Sequence, residues 1–265
     1  MYLDYWGLHT PPFLNTPNRN VFFHSPQHEE AIHRLLYIVQ HRKGIAMLTG
    51  EVGCGKTTLV RALTNYLSQN KYDILTISNP AVNPNDLIRA VLLKLGDNGE
   101  GNSKTLLLDR LRRLLEMHAE QGIETILVID EAHMIRDNST LDELRMMLNI
   151  QSEDQVLMTM ILLGQPPLLE KISQLHPINE RINMRIHIRP FDYINTGKYI
   201  LYRLKQAGAE NGIFSRESIG TIYQASEGLP LRINNICDRS LLIGLMHKSR
   251  MVTIKMVEKA LTDLE

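Results

Sequence analysis

The stretch IAMLTGEVGCGKTTLVRAL, starting at Ile45, constrains this chain more than any other. An apolar run of strand type meets three glycines, then a lysine and two threonines, then a segment of helical period. Gly50-Glu51-Val52-Gly53-Cys54-Gly55-Lys56-Thr57 satisfies G-x-x-x-x-G-K-[ST] at every position. The pattern has a physical basis. Backbone N–H groups must curl around an anion, side chains at the tight positions would obstruct them, and the next helix aims its unpaired N–H groups at the same point. The stretch is therefore predicted to be a phosphate-binding loop. Lys56 would bridge the terminal phosphates and Thr57 would hold Mg²⁺ through its hydroxyl. Gly50, Glu51, Val52, Gly53, Cys54, Gly55 and Thr58 would complete the cradle, with no chemical role for the Cys54 thiol.

A second element points the same way. ILVIDE, ending at Glu131, is an apolar strand that closes on two carboxylates. Asp130 is expected to orient Mg²⁺ or its bound water, and Glu131 to polarise an attacking water. His133 follows at once and reads as a packing or hydrogen-bonding residue, outside the catalytic set. ATP is favoured over GTP by the adjacent acidic pair, and by the expectation that no N-K-x-D base-reading element is present. Hydrolysis would then rest on positioning and charge neutralisation, without a covalent intermediate.

The rest of the chain supplies a frame for these motifs. Apolar runs of strand type at Ile45, Tyr72, Glu124, Gln155 and Ile186 alternate with helical patterns. That alternation predicts an α/β domain with a mostly parallel sheet over residues 1–191. The fifth strand is read as IHIRPF (186–191), ended by Pro190. From residue 192 to 265 four helical segments follow, predicting a separate all-helical domain. Met251–Thr253 could instead form a weak strand. Residues 1–25 hold six aromatics among Pro11, Pro12 and Pro17. Such a density of rings predicts an ordered arm draped over the domain that follows it.

Composition sets bounds. Lys plus Arg is 29 and Asp plus Glu is 29, so there is no bulk electrostatic pull toward nucleic acid or acidic lipid. The two cysteines, Cys54 and Cys237, lack metal-ligand spacing and read as reduced thiols of a cytosolic protein. No apolar run reaches the roughly 20 residues of a membrane span, and the N-terminus lacks a signal-peptide pattern. A cytoplasmic chain without direct membrane insertion is expected, with docking at the inner membrane only through a partner.

Several longer stretches carry a family resemblance: MYLDYWGLHTPPF, FFHSPQHEEAIHRLLYIVQHRKGIAMLTGEVGCGKTTLVRAL, ILVIDEAH, ILLGQPPLLEKI and GLPLRINNICDRSLL. Together they resemble the ExeA/general secretion pathway protein A group of AAA+ ATPases, itself similar to TnsC/TniB-type transposition regulators. The resemblance implies a P-loop core of AAA+ type with a C-terminal helical lid. It implies that Pro12, Phe13, Gln27 and His28 border the adenine, although packing of an arm would explain them equally. Gln165 matches the position that reads the terminal phosphate. Arg181, ahead of Arg185, matches an arginine finger offered to a neighbouring subunit. In the family's G-x-P-R run the arginine acts as a second sensor; here Leu231 takes that place and Arg232 follows one residue, about 100°, later. Either the helix start shifts to compensate or the second sensor is absent.

What the resemblance implies for function is an ATP-dependent homo-oligomer, a ring or helical filament, accessory to a secretion or type IV pilus membrane complex. The alternative is a regulator that assembles on double-stranded DNA and recruits a transposase. That alternative needs a basic face, for which Arg110, Arg112 and Arg113 are the candidates.

Overall fold

The computed structural model describes residues 2–15, 22–98, 101, 103–152 and 155–264. Pro17 of the arm and part of the loop expected over residues 97–103 lie outside them. A short helix α1 (Tyr2–Trp6) opens the chain, and α2 (Pro26–Gln40) follows with proline in its first turn, where the missing N–H costs nothing. Then come β1 (Ile45–Gly50), α3 (Lys56–Leu63), β2 (Tyr72–Ile77) and α4 (Pro84–Lys94). The Asn83 side chain caps α4 by accepting from the Asp86 N–H. Next are α5 (Lys104–Glu120), β3 (Glu124–Ile129), α6 (Asn138–Leu148) and β4 (Met158–Gly164). Two short helices, α7 (Pro167–Ser173) and α8 (His176–Asn179), lead into β5 (Ile182–Ile188). Four helices close the chain: α9 (Tyr193–Gln206), α10 (Arg216–Ser226), α11 (Pro230–Met246) and α12 (Ile254–Thr262).

The five strands form one parallel sheet in the order β2-β3-β4-β1-β5. β1, β3 and β4 are buried at every position, as central strands covered on both faces must be. β5 is an edge strand and alternates buried with exposed residues, which is why its first half was not legible as a strand. It begins four residues before the expected Ile186 and ends at Ile188, before Pro190.

Two compact units emerge. One comprises residues 27–50 and 59–188 and contains the sheet. Its core joins Met47, Leu127, Ile129, Met160 and Leu162 to Leu87, Leu111 and Leu144 of the helices. The other comprises residues 1–26, 51–58 and 189–265. This grouping differs from the expected division at residue 191. The arm groups with the helical segment in one unit. The reason is apolar cover: Leu8 and Phe13 join Ile200, Phe214, Cys237, Leu241 and Val252 in one cluster. Polar clasps complete the docking. The Trp6 indole N–H donates to the Leu241 carbonyl at 3.0 Å, and Arg203 Nε donates to the Pro12 carbonyl at 2.6 Å. Residues 251–253 form only an isolated bridge, Phe214 with Val252.

Candidate nucleotide site

β1 ends at Gly50 and α3 begins at Lys56, so the five residues between them make the turn. Gly53 and Gly55 hold φ +80° and +94°, where a side chain would be strained. Gly53 also lies so close to Leu231 that an added Cβ would stand 2.5 Å from the Leu231 Cβ. Lys56 is buried at 6% exposure and its ammonium donates to the Glu51 carbonyl at 2.9 Å. A buried ammonium needs such a partner; a carbonyl of the loop is one that a phosphate oxygen can replace. The loop therefore fits a phosphate: two glycines with positive φ, the open first turn of an eight-residue helix, and a lysine folded over the turn. Thr57 and Thr58 sit in that first turn, partly exposed, while Glu51 and Val52 are exposed on the loop. The Cys54 thiol is buried, and burial pushes its pKa up. It is poorly suited to chemistry.

In the same unit the Leu231 N–H donates to the Gly53 carbonyl at 3.2 Å. Arg232 pairs instead with Glu227 at 2.7 Å, both of them exposed. The residue facing the loop is thus the leucine, and the arginine one step later points to a surface carboxylate. Phe13 is buried, edge-on to Phe214 at 6.1 Å, within the apolar core of its unit. Gln27 and His28 open α2 in the other unit, with His28 at 3% exposure.

The carboxylates belong to the sheet unit. Asp130 follows β3, is 8% exposed, and accepts the Glu131 N–H at 2.9 Å on Oδ1. Its own N–H reaches the Ile77 carbonyl at 2.9 Å, which extends the ladder one step past the strand. Glu131 adopts φ 52°, ψ 37°, a left-handed conformation rare for a residue with a side chain. β4 lies between β3 and β1, so Gln165, the residue after β4, stands at the middle of that edge. His133, set aside on sequence grounds, links the two: its Nδ1 is 3.3 Å from Glu131 Oε2 and its Nε2 is 2.9 Å from Gln165 Nε2. The missed signal was its spacing, two residues after a carboxylate at a strand end. Arg181 is exposed at the start of β5, and Arg185 donates to the Asn179 side-chain oxygen at 2.6 Å.

One expectation needs correction. The tetrapeptide N-K-x-D does occur, as Asn70-Lys71-Tyr72-Asp73. It opens β2, whose register pairs Tyr72 with Glu124 at the beginning of β3. In a parallel sheet this is the edge opposite the one where Asp130 and Gln165 emerge. Lys71 forms an ion pair there with Glu124 at 3.2 Å, which pushes the Lys71 pKa up. A structural role accounts for the tetrapeptide.

Residues 39–172 match the family model of the AAA domain. The chain belongs to that family. It is 33% identical over 256 residues to general secretion pathway protein A of Aeromonas hydrophila, a match covering 95% of this chain and 46% of that protein. The chain thus spans about half the length of that relative. Among solved structures, Cdc6p of Pyrobaculum aerophilum is similar with TM-score 0.73 and 18% identity, covering 95% of this chain and 70% of that one. Drosophila ORC bound to DNA is similar with TM-score 0.70 and 18% identity, covering 96% and 64%. At such identities the likeness shows the fold alone, a P-loop ATPase fold of AAA+ type. In this AAA domain the sheet order, the phosphate loop after β1 and the acidic pair after β3 all belong to that fold.

Proposed function

We propose that this chain binds and hydrolyses ATP with Mg²⁺, and that the nucleotide controls assembly of identical chains into a ring or filament accessory to a secretion or pilus complex. The observation that carries the ATPase reading is the phosphate loop itself, with its positive-φ glycines and the buried Lys56 folded onto Glu51. ATP and its Mg²⁺ supply the reactive phosphoanhydride and the divalent charge. The chain supplies the rest. Loop N–H groups and Lys56 bind the phosphates, and Thr57 and Asp130 would hold the metal. Glu131 accepts a proton from water, and Gln165 orients toward the terminal phosphate. Two protein ligands suffice for a metal that keeps several waters; among the described residues no cluster of three or more His, Cys, Asp or Glu exists for a metal.

The switch reading is supported by the bond from the Leu231 N–H to Gly53. A ligand that reshapes the loop must move Leu231, and with it the start of α11. The secretion reading is supported by the likeness to general secretion pathway protein A, and Arg181 on the exposed start of β5 is the residue we assign to a neighbour's site. A DNA-binding role gains little from α5: Arg110 pairs with Asp97, Arg112 with Glu116 and Arg113 with Asp109. Among the described residues no helix is long and apolar enough to cross a membrane.

Two variants test the ATPase reading. Lys56→Ala should lose tight ATP binding, and Glu131→Gln should bind ATP but cease to turn it over. Normal hydrolysis by Glu131→Gln would show that the base is elsewhere. Mass photometry with Mg²⁺ and a slowly hydrolysed ATP analogue tests assembly; oligomers that form only with duplex DNA would replace the secretion reading with the transposition one.

A further inference from the structure

His133 joins two residues that the reading above places in separate roles. The turn Ala132–Met134 packs directly on the end of β4: a Cβ on Gly164 would stand 3.4 Å from the His133 backbone nitrogen and 2.7 Å from Leu168 Cδ2. β3 and β4 are hydrogen-bonded neighbours with Ile129 opposite Leu162, so both ends of the link are anchored in the sheet. The His133 side chain is 17% exposed and has little room to turn.

Glu131 Oε2 is shielded from solvent and has no hydrogen-bond partner among the described residues, while His133 Nδ1 stands 3.3 Å from it. The hydrogen bonds of the ring run to Gln165: its backbone N–H donates to Nδ1 at 3.5 Å, and its side-chain amide lies 2.9 Å from Nε2. Gln165 therefore fixes the ring, and the ring stands against one oxygen of the Glu131 carboxylate, where a protonated Nδ1 would meet a buried acceptor that lacks a donor. Glu131 sits in a left-handed conformation costing about 1–2 kcal/mol, and such strain persists only where neighbours over-determine it.

We propose that His133 is a positioning residue that orients the Glu131 carboxylate and couples it to Gln165, so that contact at the phosphate-reading residue is felt at the base. The proposal deepens the ATPase reading and rests on it.

The test is steady-state and single-turnover ATP hydrolysis by the full chain, with ATP affinity measured separately. Misplacement of a catalytic group by about 1 Å costs on the order of a hundredfold. His133→Ala should therefore lower kcat ten- to a hundredfold, by rough estimate, with KM and Kd within about twofold. His133→Asn, whose side-chain amide lies near the position of Nδ1, should recover part of the rate. The double variant His133→Ala/Gln165→Ala should be no slower than the worse single variant, since linked residues are non-additive. Thermal melts confirm that each variant is folded. A folded His133→Ala with an unchanged or raised kcat, beside an inactive Glu131→Gln, overturns the proposal and leaves the ATPase reading intact. Strictly multiplicative losses in the double variant overturn the coupling. An active Glu131→Gln removes the base assignment and the proposal with it.

Discussion

Replacing Gly228 with alanine should unfold the helical segment well before the sheet domain's own limit. Gly228 holds φ +75°, and a Cβ there would stand 1.9 Å from the Phe191 carbonyl oxygen and 2.9 Å from its carbon. Real Cβ atoms essentially never approach within 3.0 Å, and the obstacle is backbone, which no rotamer change can clear. The two residues are also bonded, the Phe191 N–H donating to the Gly228 carbonyl at 2.9 Å. Three costs add. The left-handed conformation costs alanine about 1–2 kcal/mol, forced displacement about 1–3 kcal/mol, and a weakened hydrogen bond about 0.5–1.5 kcal/mol. The total of about 2.5–6.5 kcal/mol corresponds to a fall in Tm of roughly 5–25 °C for a chain of this length. The control is the same substitution at Gly220, inside α10, where an added Cβ meets nothing within 4 Å. There alanine should stabilise by about 0.5–1 kcal/mol through helix propensity. Calorimetry or circular-dichroism melts read both. A fall of under about 3 °C for Gly228→Ala, or equal shifts at the two sites, would refute the steric reasoning.

Three further outcomes are expected. Trp6 is the only tryptophan, so its fluorescence reports arm docking directly; Trp6→Ala should cost about 2–4 kcal/mol and expose residues 7–12 to limited proteolysis, and protection equal to wild type would count against the docked arm. Burial pushes the Cys54 and Cys237 thiols above their ordinary value of 9.0. The folded protein keeps those protons while the unfolded chain releases them, so stability should be fully present below about pH 9 and fall above it by up to ~1.4 kcal/mol per pH unit per thiol; urea titrations from about pH 8 to about pH 10.5 check this, and a flat profile would contradict it. Arg181→Ala should be inactive alone yet regain partial ATP turnover when mixed with Lys56→Ala, because one subunit would complete the other's site; absence of any rescue would remove Arg181 from that role.

Much of the sheet and the phosphate loop could be read from the residues. The loop requires glycine where φ is positive and a lysine at the helix start, and few other residues can meet those demands. The central strands advertise themselves through continuous apolar runs. Other elements were illegible for physical reasons. β5 alternates and is half exposed, so only its apolar end stood out. α7 and α8 are too short to display a helical period.

By itself the sequence determined the parallel α/β class, the anion-binding turn and the paired carboxylates, because each depends on local chemistry at fixed spacing. Only the tertiary structure decided which partners the remaining residues would take. Leu231, not Arg232, meets the phosphate loop, because Gly53 leaves room for a leucine there while Glu227 draws the arginine outward. The arm joins the helical segment because its rings find apolar cover on α9, α11 and Phe214. His133 acquires a role because two adjacent strands bring Glu131 and Gln165 to the same ring from 34 residues apart in the sequence. Such long-range contacts follow from strand order and register, which no local pattern encodes.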